Sequence, residues 1–410
     1  MEVKPGYKQT EAGIIPADWR AERLADIGRF SKGLGIKKNE SLSGTIPCIR
    51  YGEIYTHHNY IIKKFNSFIS SDIAKTSQKL NTGDILFAGS GETKEEIGKA
   101  VAFTQQIEAY AGGDIVILTP KSTNSTYLGY SLNAHAVIRQ KSSKGQGDAV
   151  VHISTHSLGE VVLPIPSQPE QSAIATALSD MDALLESLNS LITKKRAIKQ
   201  ATMQQLLSGK IRLPGLKSTW TDTSLGKIIE QFIGGGTPSR SVSEYWGGDI
   251  PWVSTKDLTS FSPYSSQESI TKKGLNNSSA SLIPAGTPII STRMAVGKTV
   301  IYKTDVAINQ DIKALIPKSK IHAKFLFHWL NHHSNKICSS SNGSTVSGIS
   351  IIDLKRLEMR IPDIKEQNYI TEILDEMDAE ISILESRIRK TKFLKQAMMQ
   401  ELLTGRTRLV

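Results

Sequence analysis

Several residues in this chain have the types and spacing of ligand-binding sites. Gly297-Lys298-Thr299 resembles the end of a phosphate-binding loop, but the glycine expected five residues upstream is missing. Two pairs of histidines have the four-residue spacing that suits zinc ligands: His328 with His332, and His152 with His156. Neither pair has a third ligand nearby in motif spacing, so packed or exposed histidines without a metal are the favoured interpretation.

Two further patterns would indicate chemistry on nucleic acids. Asp305 with Asp311-Ile312-Lys313 has the acidic and lysine residues of metal-dependent nucleases, but the corresponding Asp114-Ile115-Val116 lacks the lysine. The segment 87–91, Phe-Ala-Gly-Ser-Gly, resembles the loop that holds S-adenosylmethionine in DNA amino-methyltransferases. Those enzymes also need a Pro-Pro-aromatic segment, and none of the 15 prolines here has a proline neighbour. We therefore expect a non-catalytic binding protein with no cofactor or metal of its own.

The composition is that of a globular protein with a polyanionic partner. A length of 410 residues favours two to three domains, and the net charge of +11 favours nucleic acid over an acidic small molecule. Cys48 and Cys338 cannot form a disulfide framework. No apolar run has the length of a membrane helix, and the N-terminal residues lack the apolar core of a signal peptide, so we expect a cytoplasmic protein without a membrane partner.

The chain contains an internal repeat. Residues 166–213 align without gaps on residues 362–409, and 22 of the 48 positions are identical. In both copies a proline precedes the segment and a glycine closes it, as is typical of the borders of a helix. The 38 residues from Glu170 to Leu207 would form a helix about 57 Å long at 1.5 Å per residue.

Within each copy, apolar residues recur at alternating steps of four and three, which is the pattern of a coiled-coil seam. The seam residues are Ile174, Leu178, Met181, Leu185, Leu188, Ile192, Ile370, Leu374, Met377, Ile381, Leu384 and Ile388. A homodimeric zipper would bury such a seam, but two copies in one chain favour an internal antiparallel pair.

The segments before the helices repeat more faintly. Trp19, Leu24 and Ile27 correspond to Trp220, Leu225 and Ile228, and glycine-rich turns follow in both halves. Short β-rich runs between turn signals indicate mixed structure. We predict an α+β fold with two pseudo-repeated α/β domains joined by two long helices that form an antiparallel coiled coil. The predicted borders are 1–163 and 214–360 for the domains and 164–213 and 361–410 for the helices.

The excess positive charge lies in the predicted globular segments. Residues 1–162 carry a net +3 and residues 214–360 a net +7, whereas the two helical segments together carry +1. Sequence-reading proteins use Lys and Arg at phosphates and Arg, Lys, Gln and Asn at base edges. The candidate DNA-binding residues are Lys32, Lys37, Lys38, Arg50, Tyr51, Lys94, Lys99, Arg240, Lys256, Arg293, Lys298, Gln310 and Lys313.

Over its whole length the chain resembles the specificity subunits of type I restriction-modification systems. The resemblance depends on segments 7–10 and 13–19, the Arg-Tyr-Gly-Glu at 50–53 and the Asn-Gln-Asp-Ile-Lys at 309–313. It also includes the Pro-x-x-x-Glu-Gln that opens each helix and the Leu-Leu-x-Gly near each helix end. The doubled pattern from Glu-Gln to Leu-Leu-x-Gly is highly specific.

The resemblance implies two target recognition domains that read the halves of a bipartite, asymmetric site in double-stranded DNA, with the helices as the spacer. It also implies two modification subunits that methylate adenine and two restriction subunits with motor and nuclease activity. S-adenosylmethionine, ATP and magnesium would belong to these partners. A protein-interaction scaffold and a nonspecific architectural DNA-binding protein are the alternatives, and only DNA binders lose affinity steeply with salt.

Overall fold

The structure is a computed structural model that describes residues 4–216, 218–339 and 348–409. The remaining residues, which lie inside the predicted segments 1–163, 214–360 and 361–410, are outside this description. The chain forms two compact units. Unit 1 comprises Met1–Asn189 and Ser386–Val410, and unit 2 comprises Ser190–Glu385. Each unit therefore combines a globular segment with part of both long helices.

The globular part of unit 1 is built from short strands and helices. Its strands are β1 Tyr7–Thr10, β2 Gly13–Pro16, β3 Arg20–Arg23, β4 Gly28–Lys32, β5 Ile46–Ile49, β6 Tyr60–Ile61, β7 Ser67–Ile69, β8 Gln78–Lys79, β9 Ile85–Ala88, β10 Ser90–Gly91, β11 Ala100–Ala102, β12 Tyr110–Ala111, β13 Ile115–Pro120, β14 Val151–His152 and β15 Val162–Ile165. Its helices are α1 Leu24–Ile27, α2 Tyr51–Thr56, α3 Ser71–Lys75, α4 Ser125–Ser131, α5 His135–Lys144 and α6 Thr155–Gly159, with a 3₁₀ turn at Lys38–Glu40.

Two mixed sheets organise this segment. The larger has the strand order β4-β13-β9-β11-β6, and the second has the order β7-β5-β12-β8. Strand β12 runs parallel to β5 and antiparallel to β8, whereas β13 is antiparallel to both of its neighbours. The two-stranded pairs β1-β2, β10-β14 and β15-β3 complete the described sheet structure.

Unit 2 has a closely corresponding globular segment. Its strands are β16 Thr221–Ser224, β17 Ile229–Gly234, β18 Trp246–Val253, β19 Glu268–Ile270, β20 Ser281–Ile283, β21 Pro288–Ser291, β22 Thr299–Ile301, β23 Val306–Ile308, β24 Ile312–Pro317 and β25 Glu358–Ile361. Its helices are α8 Leu225–Ile228, α9 Thr255–Thr259, α10 Lys272–Asn276, α11 Ala323–His332, α12 Ser334–Ser339 and α13 Ile351–Arg356, with a 3₁₀ turn at Ser243–Tyr245.

The sheets of unit 2 repeat those of unit 1. The order β17-β24-β21-β22 matches β4-β13-β9-β11, and the order β19-β18-β23-β20 matches β7-β5-β12-β8. The pair β16-β25 likewise matches β3-β15. The faint sequence repeat therefore corresponds to a repeated strand order.

The two long helices continue from one unit into the other. They are α7, Gln168–Leu206, and α14, Ile364–Leu402, each of 39 residues and about 58 Å long at 1.5 Å per residue. Each is followed by a glycine in the left-handed region, Gly209 with φ +70° and Gly405 with φ +69°, where side chains other than hydrogen are strained.

Inside each unit, the helices lie antiparallel. In unit 1, Lys395 near the end of α14 forms an ion pair with Asp182 in the first half of α7. In unit 2, Lys199 near the end of α7 forms an ion pair with Asp378 in the first half of α14. Both pairs join positions that are equivalent in the sequence repeat, so the two units contain the same helix pairing.

Helix ends and globular segments share one core in each unit. In unit 1 this core contains Trp19, Ile174 and Leu178, together with Leu402 and Leu403 from the end of α14. The core of unit 2 has the same composition, with Trp220, Ile370 and Leu374 beside Leu206 and Leu207. Burial of this apolar surface is the main stabilising contribution. The predicted α+β fold with paired long helices is confirmed.

Candidate nucleic-acid interface

The loops that follow four strands of unit 2 lie at one edge of its sheets. The backbone N–H of Asn309 donates to the carbonyl oxygen of Val253 at 3.0 Å, and that of Gly236 donates to Ile308 at 3.1 Å. The N–H of Thr292 donates to Asp311 at 2.9 Å. We call residues 235–240, 254–257, 292–298 and 309–313 the loop edge of unit 2.

Polar side chains of different chemistry converge on this edge. Arg293, whose side chain is 64% exposed, lies 3.6 Å from the carboxylate of Asp311. Gln310 accepts a hydrogen bond of 2.9 Å from the hydroxyl of Thr237, which leaves its amide nitrogen available as a donor. Lys256 is exposed in the short helix α9. Guanidinium, amide and ammonium groups are therefore presented together to solvent.

Two other predicted cations of this edge are engaged by the protein itself. Lys313 is half-buried, and its Nζ donates to the carbonyl oxygen of Gln310 at 2.8 Å. Burial lowers the pKa of this amine. Arg240 forms a two-pronged ion pair with Glu268 and stacks 3.9 Å from the ring centre of Trp246. These interactions position the neighbouring loops rather than leave both cations free for phosphates.

Unit 1 has a corresponding edge. The backbone N–H of Gly112 donates to Ile49 at 2.9 Å, and that of Gly89 donates to Asp114 at 2.7 Å. A Cβ at Gly33 would lie 1.9 Å from the carbonyl oxygen of Gly112, so this turn requires glycine. We call residues 32–38, 50–53, 89–91 and 112–114 the loop edge of unit 1.

Five predicted residues lie on this edge. Lys32 is the last residue of β4, Lys37 and Lys38 follow it at the start of the 3₁₀ turn, and all three are exposed. Tyr51 is 38% exposed at the start of α2. Arg50 is half-buried, and its backbone N–H donates to the carboxylate of Glu53 at 3.3 Å. The edge therefore carries three exposed ammonium groups and one partly exposed phenol.

Three candidates remain. Lys94 and Lys99 lie outside the loop edge of unit 1 in sequence, whereas Lys298 belongs to the loop edge of unit 2. Lys94 is exposed in a loop that also carries three glutamates, at 92, 95 and 96. Lys99 is half-buried, and its Nζ donates to the carbonyl oxygen of Tyr55 at 3.2 Å and to Asn59 at 3.3 Å. Burial lowers the pKa of Lys99. Lys298, at the end of the turn before β22, is half-buried.

The rejected catalytic patterns have structural explanations. Gly89 and Gly91 are tightly packed, because a Cβ would lie 2.9 Å from the oxygen of Asp114 and 2.6 Å from that of Tyr55, respectively. His328 is buried and lies 3.0 Å from the carboxylate of Asp375. Burial lowers the pKa of His328. Within residues 4–216, 218–339 and 348–409, no three His, Cys, Asp or Glu residues are grouped as a metal site.

The predicted seam residues lie along the helix pair of each unit. Of these twelve, Ile174, Leu178, Leu188, Ile192, Ile370, Leu374, Ile381 and Ile388 are buried, and Met181, Leu185, Met377 and Leu384 are half-buried. Where the apolar pattern breaks, polar side chains continue the pairing: Lys195 forms an ion pair of 2.7 Å with Glu380.

In each unit, an ion pair joins the first turn of one long helix to the residues that follow the end of the other. The sequence analysis did not identify these pairs. In unit 1, Arg408 contacts the fully buried Glu170 at 2.5 Å and Asp18 at 2.8 Å. In unit 2, Arg212 contacts Glu366 at 2.7 Å. The two arginines occupy equivalent positions of the repeat, and so do the two glutamates. This identity is the sequence signal that could have indicated the ion pairs.

Met294 is another edge residue that the sequence analysis missed. It is 76% exposed in the turn between β21 and β22, and its φ is +60°. No pattern in the sequence marks it, because its backbone conformation depends on the surrounding hydrogen bonds.

Comparisons with known proteins agree with this architecture. A family model described as the type I restriction modification DNA specificity domain matches residues 16–200 and again residues 217–391. The specificity subunit of the type I restriction enzyme EcoR124I/EcoR124II from Escherichia coli is 32% identical over 238 residues, which cover 55% of this chain and 57% of that subunit. The putative type I restriction enzyme MjaX specificity subunit from Methanocaldococcus jannaschii is 27% identical and covers 98% of this chain and 97% of its own length.

Solved structures share the fold. The S subunit of a type I restriction-modification system from M. genitalium superposes with a TM-score of 0.62 at 15% identity and covers 98% of both chains. A chain from a study of complex assembly and conformational transition in a type I system superposes with a TM-score of 0.59 at 18% identity, over 95% of this chain and 99% of that one. In the part of the chain that the structure describes, no helix is long and apolar enough to cross a membrane.

These matches confirm the resemblance seen in the sequence and the expectation of a DNA-recognition component rather than a catalytic one. The chain belongs to the type I restriction-modification DNA specificity family, with one family domain in each half.

Proposed function

We propose that this chain is the DNA sequence-specificity subunit of a type I restriction-modification complex. It binds double-stranded DNA at a bipartite, asymmetric site, and the globular segment of each unit reads one half-site. The observation that carries this proposal is the pair of loop edges. The two edges follow equivalent strands of the two units but carry different side chains. Because the side chains differ, the two half-sites differ in sequence.

The chemistry of the two edges supports different roles for their residues. Lys32, Lys37 and Lys38 are exposed ammonium groups, which suit phosphate contacts that position the protein on DNA. In unit 2, Arg293 carries the guanidinium group that pairs with guanine edges, and Gln310 carries the amide group that pairs with adenine edges in the major groove. Arg240, Lys99 and Lys313 act mainly through the loops that they hold in place.

The helices supply the spacer and the docking surface for partners. Leu394 in unit 1 and Ile198 in unit 2 occupy equivalent positions of the repeat and are 55% and 42% exposed. Phe393, beside Leu394, is 72% exposed. Exposed apolar residues of this size favour a protein partner, and two equivalent positions suit two copies of one modification subunit. Two restriction subunits join that complex, which acts on cytoplasmic DNA.

The test is expression of the chain with its modification subunits in a cell that lacks other adenine methylation, followed by purification of the complex and mapping of methylated sites. We expect copurification and a single bipartite motif that disappears when only this chain is omitted. A complex that assembles but leaves no new motif would contradict the assignment. The matched control carries Phe393→Ser and Leu394→Ser, which should copurify with one modification subunit instead of two and should not unfold.

Salt dependence separates this function from a protein-interaction scaffold. Neutralisation of several phosphates makes the logarithm of the DNA affinity fall linearly with the logarithm of the salt concentration. We expect such a slope for both mapped and scrambled duplexes, with tighter binding to the mapped site. Equal binding of both duplexes would instead indicate a nonspecific architectural protein.

A further inference from the structure

Met294 combines an exposed apolar side chain with an unfavourable backbone conformation. It is 76% exposed, and its φ of +60° lies in the left-handed region that glycine and asparagine adopt more easily. Stability of unit 2 alone would favour a glycine here, because the thioether gains no burial at this position. Met294 therefore has the character of a functional residue rather than a packing residue.

Hydrogen bonds hold the Met294 turn in place. The hydroxyl of Ser291 donates to the carbonyl oxygen of Arg293 at 2.6 Å, and the N–H of Gly297 donates to Ser291 at 3.0 Å. The hydroxyl of Thr292 adds a bond of 2.9 Å to Asp311, on the neighbouring loop. The side chain of Met294 is therefore presented from a fixed support, which reduces the entropy lost on binding.

The neighbours of Met294 indicate what it contacts. The hydroxyl of Thr255, at the start of α9, lies 3.5 Å from its Sδ. Arg293 precedes it, and Asp311 and Gln310 lie on the adjoining loop. These side chains are donors and acceptors of the kind that read base edges in the major groove. An apolar group among them suits the one apolar feature of that groove, the 5-methyl group of thymine.

We propose that Met294 reads a thymine by packing its thioether against the 5-methyl group, in the half-site bound by unit 2. This inference rests on the proposed function. The corresponding turn of unit 1 begins Gly89-Ser90-Gly91 and presents no apolar side chain in these positions. The contact therefore contributes to the difference between the two half-sites.

The test uses the purified complex of the full chain with its modification subunits, once the motif is mapped. Each thymine of the unit 2 half-site, on either strand, is replaced in turn by deoxyuridine, which lacks only the methyl group. Affinity is measured by fluorescence anisotropy for the wild type and for Met294→Gly, which keeps the turn without strain. At one thymine we expect uracil to weaken wild-type binding about four-fold, the equivalent of one methyl group, and to leave the variant unaffected.

Two controls make the result specific. Ile352→Ala removes another exposed apolar side chain of unit 2, 62% exposed in α13, and should retain the uracil effect. Thymines of the unit 1 half-site should respond equally in the wild type and in Met294→Gly. A uracil effect of equal size in both proteins at every position, or a unit 2 half-site without thymine, would overturn the proposal.

A third outcome identifies a different contact. If Met294→Gly weakens binding whichever thymine is replaced, and 2-aminopurine fluorescence reports an unstacked base step only with the wild type, then Met294 acts as a wedge between bases. That result also overturns the thymine assignment. In all of these cases specific binding by the wild type persists, whereas loss of specific binding to the mapped site would contradict the proposed function itself.

Discussion

At the residue scale, the ion pair of Arg408 with the buried Glu170 is a contact that should be sensitive to substitution. The carboxylate of Glu170 is fully buried. It accepts hydrogen bonds from the guanidinium of Arg408 and from the indole N–H of Trp19. We expect Arg408→Met to lower the free energy of unfolding by about 3 kcal/mol or more, because it leaves a buried carboxylate without its cation. Chemical denaturation of the purified chain measures this change.

The matched control for Arg408 is Arg20→Met. Arg20 forms an ion pair with Glu22 in the same unit, but its side chain is 69% exposed. Exposed pairs contribute little, so we expect a change of at most about 0.5 kcal/mol. Equal effects of the two substitutions would show that the buried pair of Arg408 has no special role.

A buried lysine gives unit 1 a pH dependence. Lys141 is 1% exposed, and its Nζ donates to the carbonyl oxygen of Gly98 at 2.6 Å. Burial lowers the pKa of Lys141 to about 7. Between pH 7 and the unfolded pKa near 10.4, the unfolded chain holds a proton that the folded chain has released. This amine therefore makes the folded state less stable as the pH falls from about 10 to 7.

We expect Lys141→Met to be more stable than the wild type at pH 7, with a difference that shrinks as the pH approaches 10. The slope contributed by one proton is at most about 1.4 kcal/mol per pH unit. Thermal unfolding of both proteins between pH 6.5 and 9.5 measures it. Lys144→Met, which removes an amine paired with Glu160 at the surface, provides the comparison. A constant difference between Lys141→Met and the wild type would refute the assignment.

Residue types were readable from the sequence, but their partners were not. Lys99 and Lys313 are lysines near turns, as Lys37 is, yet only the first two donate to backbone carbonyl groups and are half-buried. Arg240 stacks on Trp246, which follows it by six residues at the start of β18. Such contacts depend on tertiary packing, for which the spacing of residues gives no rule.

At the element scale, the long helices were predictable because two independent patterns agreed. The alternation of four and three residues marked the seam, and the identities between residues 166–213 and 362–409 indicated which two segments correspond. The strand order was not predictable, because strands such as β6, β8 and β12 have only two residues. Their pairing follows from the turns and the core rather than from their own sequence.

The paired helices make a testable prediction about spacing. Deletion of residues 187–193 from α7 together with 384–390 from α14 removes one heptad from each helix and keeps the phase of both seams. Each helix becomes shorter by about 10 Å, which corresponds to about three base pairs. We expect the methylated motif to keep both half-sites and to lose about three base pairs of spacer.

Deletion of residues 187–193 alone is the control for that experiment. It shortens α7 without α14, so the ion pair of Asp182 with Lys395 in unit 1 and that of Lys199 with Asp378 in unit 2 can no longer form together along continuous helices. We expect loss of methylation. A double deletion that leaves the spacer length unchanged would show that the helices do not set it.

At the scale of the whole molecule, each unit brings the end of one repeat into contact with the start of a repeat. Gly209 packs against the ring of Trp220, where a Cβ would lie 3.1 Å away. Gly405 packs against Pro16 and Trp19, where a Cβ would lie 2.4 Å and 3.1 Å away, respectively. The hydroxyl of Tyr7 also donates to the carbonyl oxygen of Gly405 at 3.1 Å. The end of the second repeat therefore contacts the start of the first as the end of the first contacts the start of the second.

This arrangement predicts that the chain tolerates circular permutation. A variant that begins at Leu216, ends at Gly215 and joins residue 409 to residue 4 through a short flexible linker keeps every contact described above. We expect it to copurify with the modification subunits and to produce the same motif. New termini inside α7, after residue 190, are the control and should abolish the motif, because they interrupt the helix pair.

The similarity of the two helical segments has a consequence for how a gene of this kind acquires a new DNA specificity. Similar helical segments, identical at 22 of 48 positions, flank the globular segments, so recombination between two genes can exchange one globular segment and leave the contacts of Arg212, Arg408 and both helices intact. A population with n interchangeable segments could then encode on the order of n² bipartite sites from single exchanges. A new specificity would arise in one recombination event, without a series of individually adaptive point mutations.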